Sequence, residues 1–211
     1  MPHFQHKLGK TYYKKTKASN KVPLLVLHGG PGANHIFLQP LFDAYKSKDR
    51  QIIMYDQLGS GRSSETDKSK WNLKTLVEEL SLLIEHLDLD RFHLMGASWG
   101  TTLALEYYLR TKDRRIESLI FQSPMFSAKV WSDDAKKLIR KLPQKHQQAI
   151  YHCEKVGAYD AKVYKDAELA YTKRVISRKS LDKAYLQSAF RKINMDIYMH
   201  MWGPTEFSPS G

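Results

Sequence analysis

Residues 92–110, FHLMGASWGTTLALEYYLR, are the strongest indication of the fold of this 211-residue chain. This stretch opens with a short apolar run typical of a buried β-strand and closes with a pattern that favours a helix. Between the two stands GASWG, residues 96–100, which satisfies the pattern G-x-S-x-G. Glycine is needed two residues to either side of the serine, because side chains at those places would collide in so tight a turn.

The serine of this turn, Ser98, is the candidate nucleophile. A tight connection between strand and helix lifts its hydroxyl above the sheet, and the start of the helix directs backbone N–H groups towards the same point. The alternative interpretation is a chance match in a glycine-containing loop. The strand-like run before the motif and the helical pattern after it favour the catalytic interpretation.

Further short apolar runs alternate with helical patterns over the first part of the chain. After Asn72, a good N-cap, leucine, isoleucine and valine recur on one helical face between residues 73 and 87. Alternating strands and helices predict an α/β fold with a mostly parallel sheet. The additional strand predictions are KTYYKKTK (10–17, part of an N-terminal hairpin), VPLLVL (22–27), QIIMYDQ (51–57) and IESLIFQSP (116–124).

The character of the chain changes near Met125, where strand-like runs stop and helix-forming residues take over. We therefore divide it into a core at 1–125, a helical cap at 126–200 and a turn-rich exit from the cap at 201–211. No core strand is predicted after the cap.

Composition narrows the class of protein. The net charge of +12 raises nucleic acid as a partner, but the 16 Lys and Arg and 7 Asp and Glu of residues 129–192 are spread along helical segments and form no compact basic block. No apolar run is long enough to span a membrane, and the N-terminus has no signal-peptide pattern. A single cysteine, Cys153, excludes an internal disulfide and favours the cytoplasm.

A second glycine-rich stretch, LHGGPGANH at 27–35, follows a predicted strand. Attack by a serine on a carbonyl creates an oxyanion, which requires two preorganised donors. The backbone N–H after the nucleophile, here that of Trp99, supplies one, and a loop after an earlier strand supplies the other. Gly30 is the predicted second donor, and His28 is interpreted as a brace for the loop, with a catalytic role as the alternative.

Three motifs together carry a resemblance to a known family. HGGPG (28–32), YDQLGSGRS (55–63) and GASWG, in this order and spacing, resemble the proline iminopeptidase (prolyl aminopeptidase) branch of the α/β-hydrolase superfamily, from about Val22 to Gly211. The resemblance implies an α/β-hydrolase fold with a helical cap. It also implies release of N-terminal proline from peptides through an acyl-enzyme, without a metal or organic cofactor. YDQLGSGRS is expected to support the catalytic loops.

The resemblance extends to MWGPTEF, residues 201–207. In related aminopeptidases a glutamate in such a context, contributed by the cap, anchors the free α-amino group of the substrate. The motif match places this role on Glu206, and a desolvated carboxylate binds an ammonium group strongly. The alternative is a surface glutamate in a turn.

The chain departs from the family where the acid and the histidine of the triad are expected, because both follow the cap in the family and the sequence given ends at Gly211. The expectation is a C-terminally truncated enzyme lacking its last strands, whose partner is a missing C-terminal chain. Asp196 and His200, four residues apart on a predicted helix, are the internal alternative. An inactive fragment, half of a split gene, or another α/β hydrolase such as an esterase or amidase also remain open.

Overall fold

The structure, a computed structural model, describes residues 2–46, 49–176, 183–207 and 209. The chain forms two compact units. The sheet unit comprises Met1–Phe126 and Ala184–Met201, and the helical unit comprises Ser127–Lys183 and Trp202–Gly211.

A six-stranded sheet forms the centre of the sheet unit, in the order β1-β2-β4-β3-β5-β6. The first two strands form an antiparallel hairpin and β2 is antiparallel to β4, whereas β4, β3, β5 and β6 pair in parallel. The mostly parallel sheet expected from the sequence is therefore confirmed. The strands are β1 (His3–His6), β2 (Gly9–Lys15), β3 (Leu24–Leu27), β4 (Ile52–Tyr55), β5 (Phe92–Ala97) and β6 (Ile116–Gln122).

The apolar runs lie where the sheet is covered on both faces. Every residue of β3 and of β4 is buried, as expected for central strands of a parallel sheet. Leu27, the last residue of β3, is in register with Gly96 near the end of β5. The two glycine-rich motifs therefore leave the sheet at the same edge and at the same level.

Helices flank this sheet. The predicted N-cap Asn72 accepts a hydrogen bond from the Thr75 N–H at 2.9 Å, and the predicted face of the following helix is buried, including Leu76, Leu80 and Leu83. The helices of the first part of the chain are α1 (Gln39–Tyr45), α2 (Leu73–His86) and α3 (Gly100–Thr111), with short 3-10 helices at His35–Leu38 and Lys68–Lys70.

The helical unit has a small core of its own. Ile150, Cys153 and Tyr164 are buried there together with Phe207, which lies on the segment after the last helix. Its helices are α4 (Ala128–Ile139), α5 (Gln144–Val156) and α6 (Lys162–Tyr171), and a π-helical turn at Thr172–Ile176 continues α6.

The observed units differ from the predicted division in one stretch. The helices α7 (Ala184–Phe190) and α8 (Met195–Met201) belong to the sheet unit, although the sequence assigned them to the cap. Asn194, between these helices, donates its backbone N–H to Gly32 O and its side-chain amide to Gly59 O, each at 2.8 Å. These long-range bonds explain why the stretch belongs with the sheet.

None of the helices in the described part of the chain combines the length and the apolar character that crossing a bilayer requires.

The fold places the two glycine-rich loops at the same edge of the sheet, which is the natural position for a site.

Candidate active site

Ser98 lies on the predicted turn between β5 and α3, with a backbone φ of 53° in the left-handed region. A residue other than glycine rarely adopts this backbone conformation, because its Cβ comes too close to the following carbonyl oxygen. Two hydrogen bonds hold the turn: the Ser98 N–H donates to Gln122 O and the Thr101 N–H donates to Ser98 O, both at 2.9 Å. The strained backbone expected for a nucleophile turn is therefore present.

Close packing explains the first glycine of GASWG. A Cβ on Gly96 would lie 2.5 Å from the Thr101 nitrogen, which is closer than real Cβ contacts allow. The backbone of β5 and the first turn of α3 can meet only because this position has no side chain.

The HGGPG loop lies directly against the nucleophile turn. A Cβ on Gly29 would be 3.0 Å from the Ser98 Cβ and 3.0 Å from Ala97 O. Gly30 follows with a φ of 111°, and a side chain there would meet the Ala33 nitrogen at 2.6 Å. The structure thus brings together three predicted site positions: Ser98, Gly30 and Trp99.

Two backbone N–H groups are available beside the serine. Trp99 stands immediately before α3, where the first N–H groups of a helix have no partner within the helix. Within residues 2–46, 49–176 and 183–207, neither the Trp99 N–H nor the Gly30 N–H donates a hydrogen bond to the protein. Such donors are what an oxyanion hole requires.

His28 braces the loop, as the sequence predicted. It is fully buried, and its Nε2 accepts the Gln57 N–H at 3.1 Å while its Nδ1 lies 2.8 Å from Gly29 O. Burial lowers the pKa of the imidazole more than the nearby charge of Asp56 raises it. The ring is therefore neutral near pH 7, with its proton on Nδ1.

The YDQLGSGRS loop is held by the buried carboxylate of Asp56. One oxygen accepts the His35 N–H at 2.6 Å and faces His35 Nδ1 at 2.8 Å, and the other accepts the Arg62 N–H at 2.9 Å. Burial alone would raise the pKa of Asp56, but the hydrogen bonds and charge of His35 outweigh it and lower the pKa. These contacts are those of a supporting loop.

A second buried carboxyl, Glu79 on α2, was missed by the sequence analysis. Its oxygens accept hydrogen bonds from the Thr11 hydroxyl and from the Leu58 N–H, the latter at 3.0 Å. Burial raises its pKa to about 8. The available signal was its position on the apolar face, three residues after Leu76 and four before Leu83.

The other predicted site residue, Glu206, belongs to the helical unit. Its carbonyl oxygen accepts a hydrogen bond from Trp131 Nε1 at 2.6 Å, and the neighbouring Phe207 is buried. Burial, and after it the charge of Glu206, raises the pKa of Glu168. The backbone at Glu206 is thus anchored, and its side-chain charge lies close enough to Glu168 to affect it.

The internal alternative does not form a base at the serine. His200 packs edge-on against Trp71, with 5.7 Å between ring centroids, and Asp196 is exposed. The buried imidazole of His35 pairs with Asp56. In the described part of the chain no imidazole is hydrogen-bonded to Ser98 Oγ. Nor do the described residues include a group of three or more His, Cys, Asp or Glu side chains suited to a metal ion.

Comparison with known proteins agrees with this geometry. Residues 22–159 match the family described as alpha/beta hydrolase fold. The chain is 40% identical over 205 residues to a protein named proline iminopeptidase from Heyndrickxia coagulans, covering 95% of this chain and 69% of that protein. A protein of the same name from Clostridium botulinum is 38% identical over 215 residues, covering 100% of this chain and 72% of the relative.

A solved structure extends the comparison to three dimensions. The crystal structure of proline iminopeptidase from Mycobacterium smegmatis superposes with a TM-score of 0.89 at 26% sequence identity. The match covers all of this chain and 73% of that structure. The relatives thus contain polypeptide beyond the region they share with this chain.

Proposed function

Because the chain belongs to the alpha/beta hydrolase fold family and, within it, to the proline iminopeptidases, we propose that it carries the nucleophile and oxyanion donors of a serine aminopeptidase. We propose peptides with an N-terminal proline as its substrates, and the single cysteine favours the cytoplasm as its location. The observation that carries the proposal is the contact between the HGGPG loop and the nucleophile turn, in which Gly29 lies against Ser98.

In this reaction the Ser98 hydroxyl attacks the carbonyl carbon of the N-terminal residue and loses its proton to a general base. The carbonyl oxygen becomes an oxyanion that accepts hydrogen bonds from the Gly30 and Trp99 N–H groups. Collapse of the tetrahedral intermediate breaks the peptide bond, and the leaving amine takes up a proton. Water then releases proline from the acyl-enzyme, and the chemistry requires no metal or organic cofactor.

Specificity for a free N-terminus is assigned to Glu206. A carboxylate on an anchored backbone can bind the ammonium group of the substrate, and a charge-assisted hydrogen bond is the strongest type available for this purpose. After burial, the charges of Glu206 and Glu154 raise the pKa of Glu168, and neighbouring carboxylates of this kind attract a cation.

The general base and its carboxylate partner are assigned to polypeptide that corresponds to the unmatched part of the relatives. The support is the absence, in the described residues, of an imidazole bonded to Ser98 Oγ, together with the 69% coverage of the Heyndrickxia coagulans protein. The proposal therefore requires polypeptide equivalent to that unmatched part for turnover, and its rival is an inactive protein.

Labelling of Ser98 tests the proposal. The purified chain is incubated with a prolyl diphenyl phosphonate and with proline p-nitroanilide, alone and mixed with the unmatched region of the Heyndrickxia coagulans protein, with Ser98→Ala as the control. Labelling and turnover that the control abolishes, in either preparation, support the proposal. If neither preparation shows labelling or turnover, the proposal is overturned and its rival, an inactive protein, is supported.

A substrate panel separates the other hydrolase classes. Proline anilide, a simple p-nitrophenyl ester and an aliphatic amide are compared under the same conditions. Preference for the anilide with a free amine supports the aminopeptidase, and preference for the ester overturns it in favour of an esterase.

A further inference from the structure

We infer that His28 and Gln57 act as positioning residues that set the direction of the Gly30 N–H, an inference that rests on the acyl transfer proposed at Ser98. Neither side chain is placed in contact with the reacting atoms. They act through the peptide group between Gly29 and Gly30, which carries one of the two proposed oxyanion donors.

The two ring nitrogens of His28 have different hydrogen-bond partners. Its Nε2 accepts the Gln57 backbone N–H at 3.1 Å, so this nitrogen carries no proton. The proton of the neutral ring is therefore on Nδ1, which donates it to Gly29 O at 2.8 Å. The two hydrogen bonds together select one tautomer and one ring orientation.

The bond from His28 to Gly29 O fixes the direction of the next N–H group through the geometry of the peptide. In a trans peptide the C=O and the N–H of the same planar group point in opposite directions. Holding the Gly29 carbonyl on the imidazole therefore directs the Gly30 N–H away from it. Glycine on both sides leaves this peptide otherwise free to rotate, because no side chain restricts the adjacent backbone angles.

Gln57 holds His28 at two points. Besides the bond to the ring, its side-chain amide donates to His28 O at 3.1 Å. Its Oε1 is buried and accepts no hydrogen bond from the described residues. Burying an unpaired oxygen costs free energy. The bond from the Gln57 amide to His28 O outweighs this cost and fixes the orientation of the side chain.

Together these contacts explain why a histidine precedes the glycines. If the peptide turned over, the Gly29 carbonyl oxygen would face the developing oxyanion in place of the Gly30 N–H. An attractive dipole would then become a repulsive one, and one of the two donors would be lost.

Two variants separate positioning from mere packing. His28→Asn retains an amide N–H at the place of Nδ1 and loses the acceptor for Gln57. His28→Gln retains an acceptor at the place of Nε2 and loses the donor to Gly29 O. Both variants lose one buried hydrogen bond, so thermal unfolding should show similar losses of stability.

The two variants should differ in the rate at which an alkyl fluorophosphonate labels Ser98. This rate is measured in the preparation in which the wild-type chain is labelled. We expect His28→Gln to slow labelling by about 100-fold, the typical cost of losing an oxyanion donor, and His28→Asn to stay close to the wild-type chain. Equal rates for the two variants would overturn the inference.

If Ser98 is not labelled at all, only the proposed function is refuted. NMR of the wild-type chain and the two variants then tests the positioning role without any reaction. Nitrogen-15 NMR of the imidazole should show the proton on Nδ1 of His28. The Gly30 amide resonance should move in His28→Gln and stay in place in His28→Asn. A proton on Nε2, or a Gly30 resonance that ignores both substitutions, would refute the positioning role.

Discussion

A methyl group on the α-carbon of Gly100 would lie 2.6 Å from the carbonyl oxygen of His28. The last glycine of GASWG and the first residue of HGGPG thus meet backbone to backbone. The helix after the nucleophile and the loop after β3 approach this closely only because one of the two positions has no side chain.

Gly100→Ala should therefore destabilise the fold and disturb the site together. Overpacking of this kind costs about 1–3 kcal/mol, measurable as a shift in urea denaturation, and labelling of Ser98 should slow because the loop must move. Gly157→Ala is the control: its φ of 71° is strained for alanine, but a Cβ there meets nothing within 4 Å. Slowed labelling in the control would contradict this account.

Glu79 should make stability depend on pH. Its carboxyl ionises near its ordinary pKa of 4.5 in the unfolded chain and near 8 in the folded chain, so folding takes up a proton between these values. The free energy of unfolding should fall as pH rises from about 5 to 8, by up to about 1.4 kcal/mol per pH unit relative to Glu79→Gln.

Denaturant titrations at pH 5, 6, 7 and 8 measure this slope. Glu78→Gln is the matched control, since Glu78 is the adjacent residue on α2 but forms an ion pair with Lys7 at the surface. A difference between the wild-type chain and Glu79→Gln that does not change with pH would exclude the buried neutral carboxyl.

Glu206→Gln should weaken recognition of a free amine and leave the chemistry intact. A hydrogen bond to a charged group contributes about 1.5–3 kcal/mol, so labelling by a prolyl phosphonate should slow by roughly 10- to 150-fold. Labelling by an amine-free fluorophosphonate should not change. Asp166→Asn, an exposed carboxylate paired with Lys162, is the control, and an equal effect on both probes would refute the anchoring role.

Phe207→Ala should lower the free energy of unfolding of the helical unit. The ring is 2% exposed and packs edge-on against Tyr171, with 4.8 Å between centroids. Removing a buried phenylalanine costs about 3–5 kcal/mol. Phe126→Ala, whose ring is half exposed, should cost much less in the same thermal melt; similar losses would show that Phe207 is not part of this core.

Much of the architecture could be read from local patterns. The runs at 22–27 and 51–57 became β3 and β4, because strands buried on both faces need continuous apolar residues. Asn72 begins α2 because its side chain bonds an N–H three residues on, which is a local interaction. The two glycine-rich motifs were recognisable for the same reason, since each is a tight turn with its own residue requirements.

Local patterns in the chain were enough to predict the α/β class and the strand and helix that flank Ser98, and to propose the oxyanion donors. Three-dimensional contacts were needed to find that Asn194 fixes α7 and α8 to the sheet unit, that Glu79 is buried beside Leu58, and that Gln57 holds His28. The reason is physical: turns, caps and helical periodicity depend on neighbours a few residues away, whereas these contacts join groups 21 to 162 residues apart in the chain.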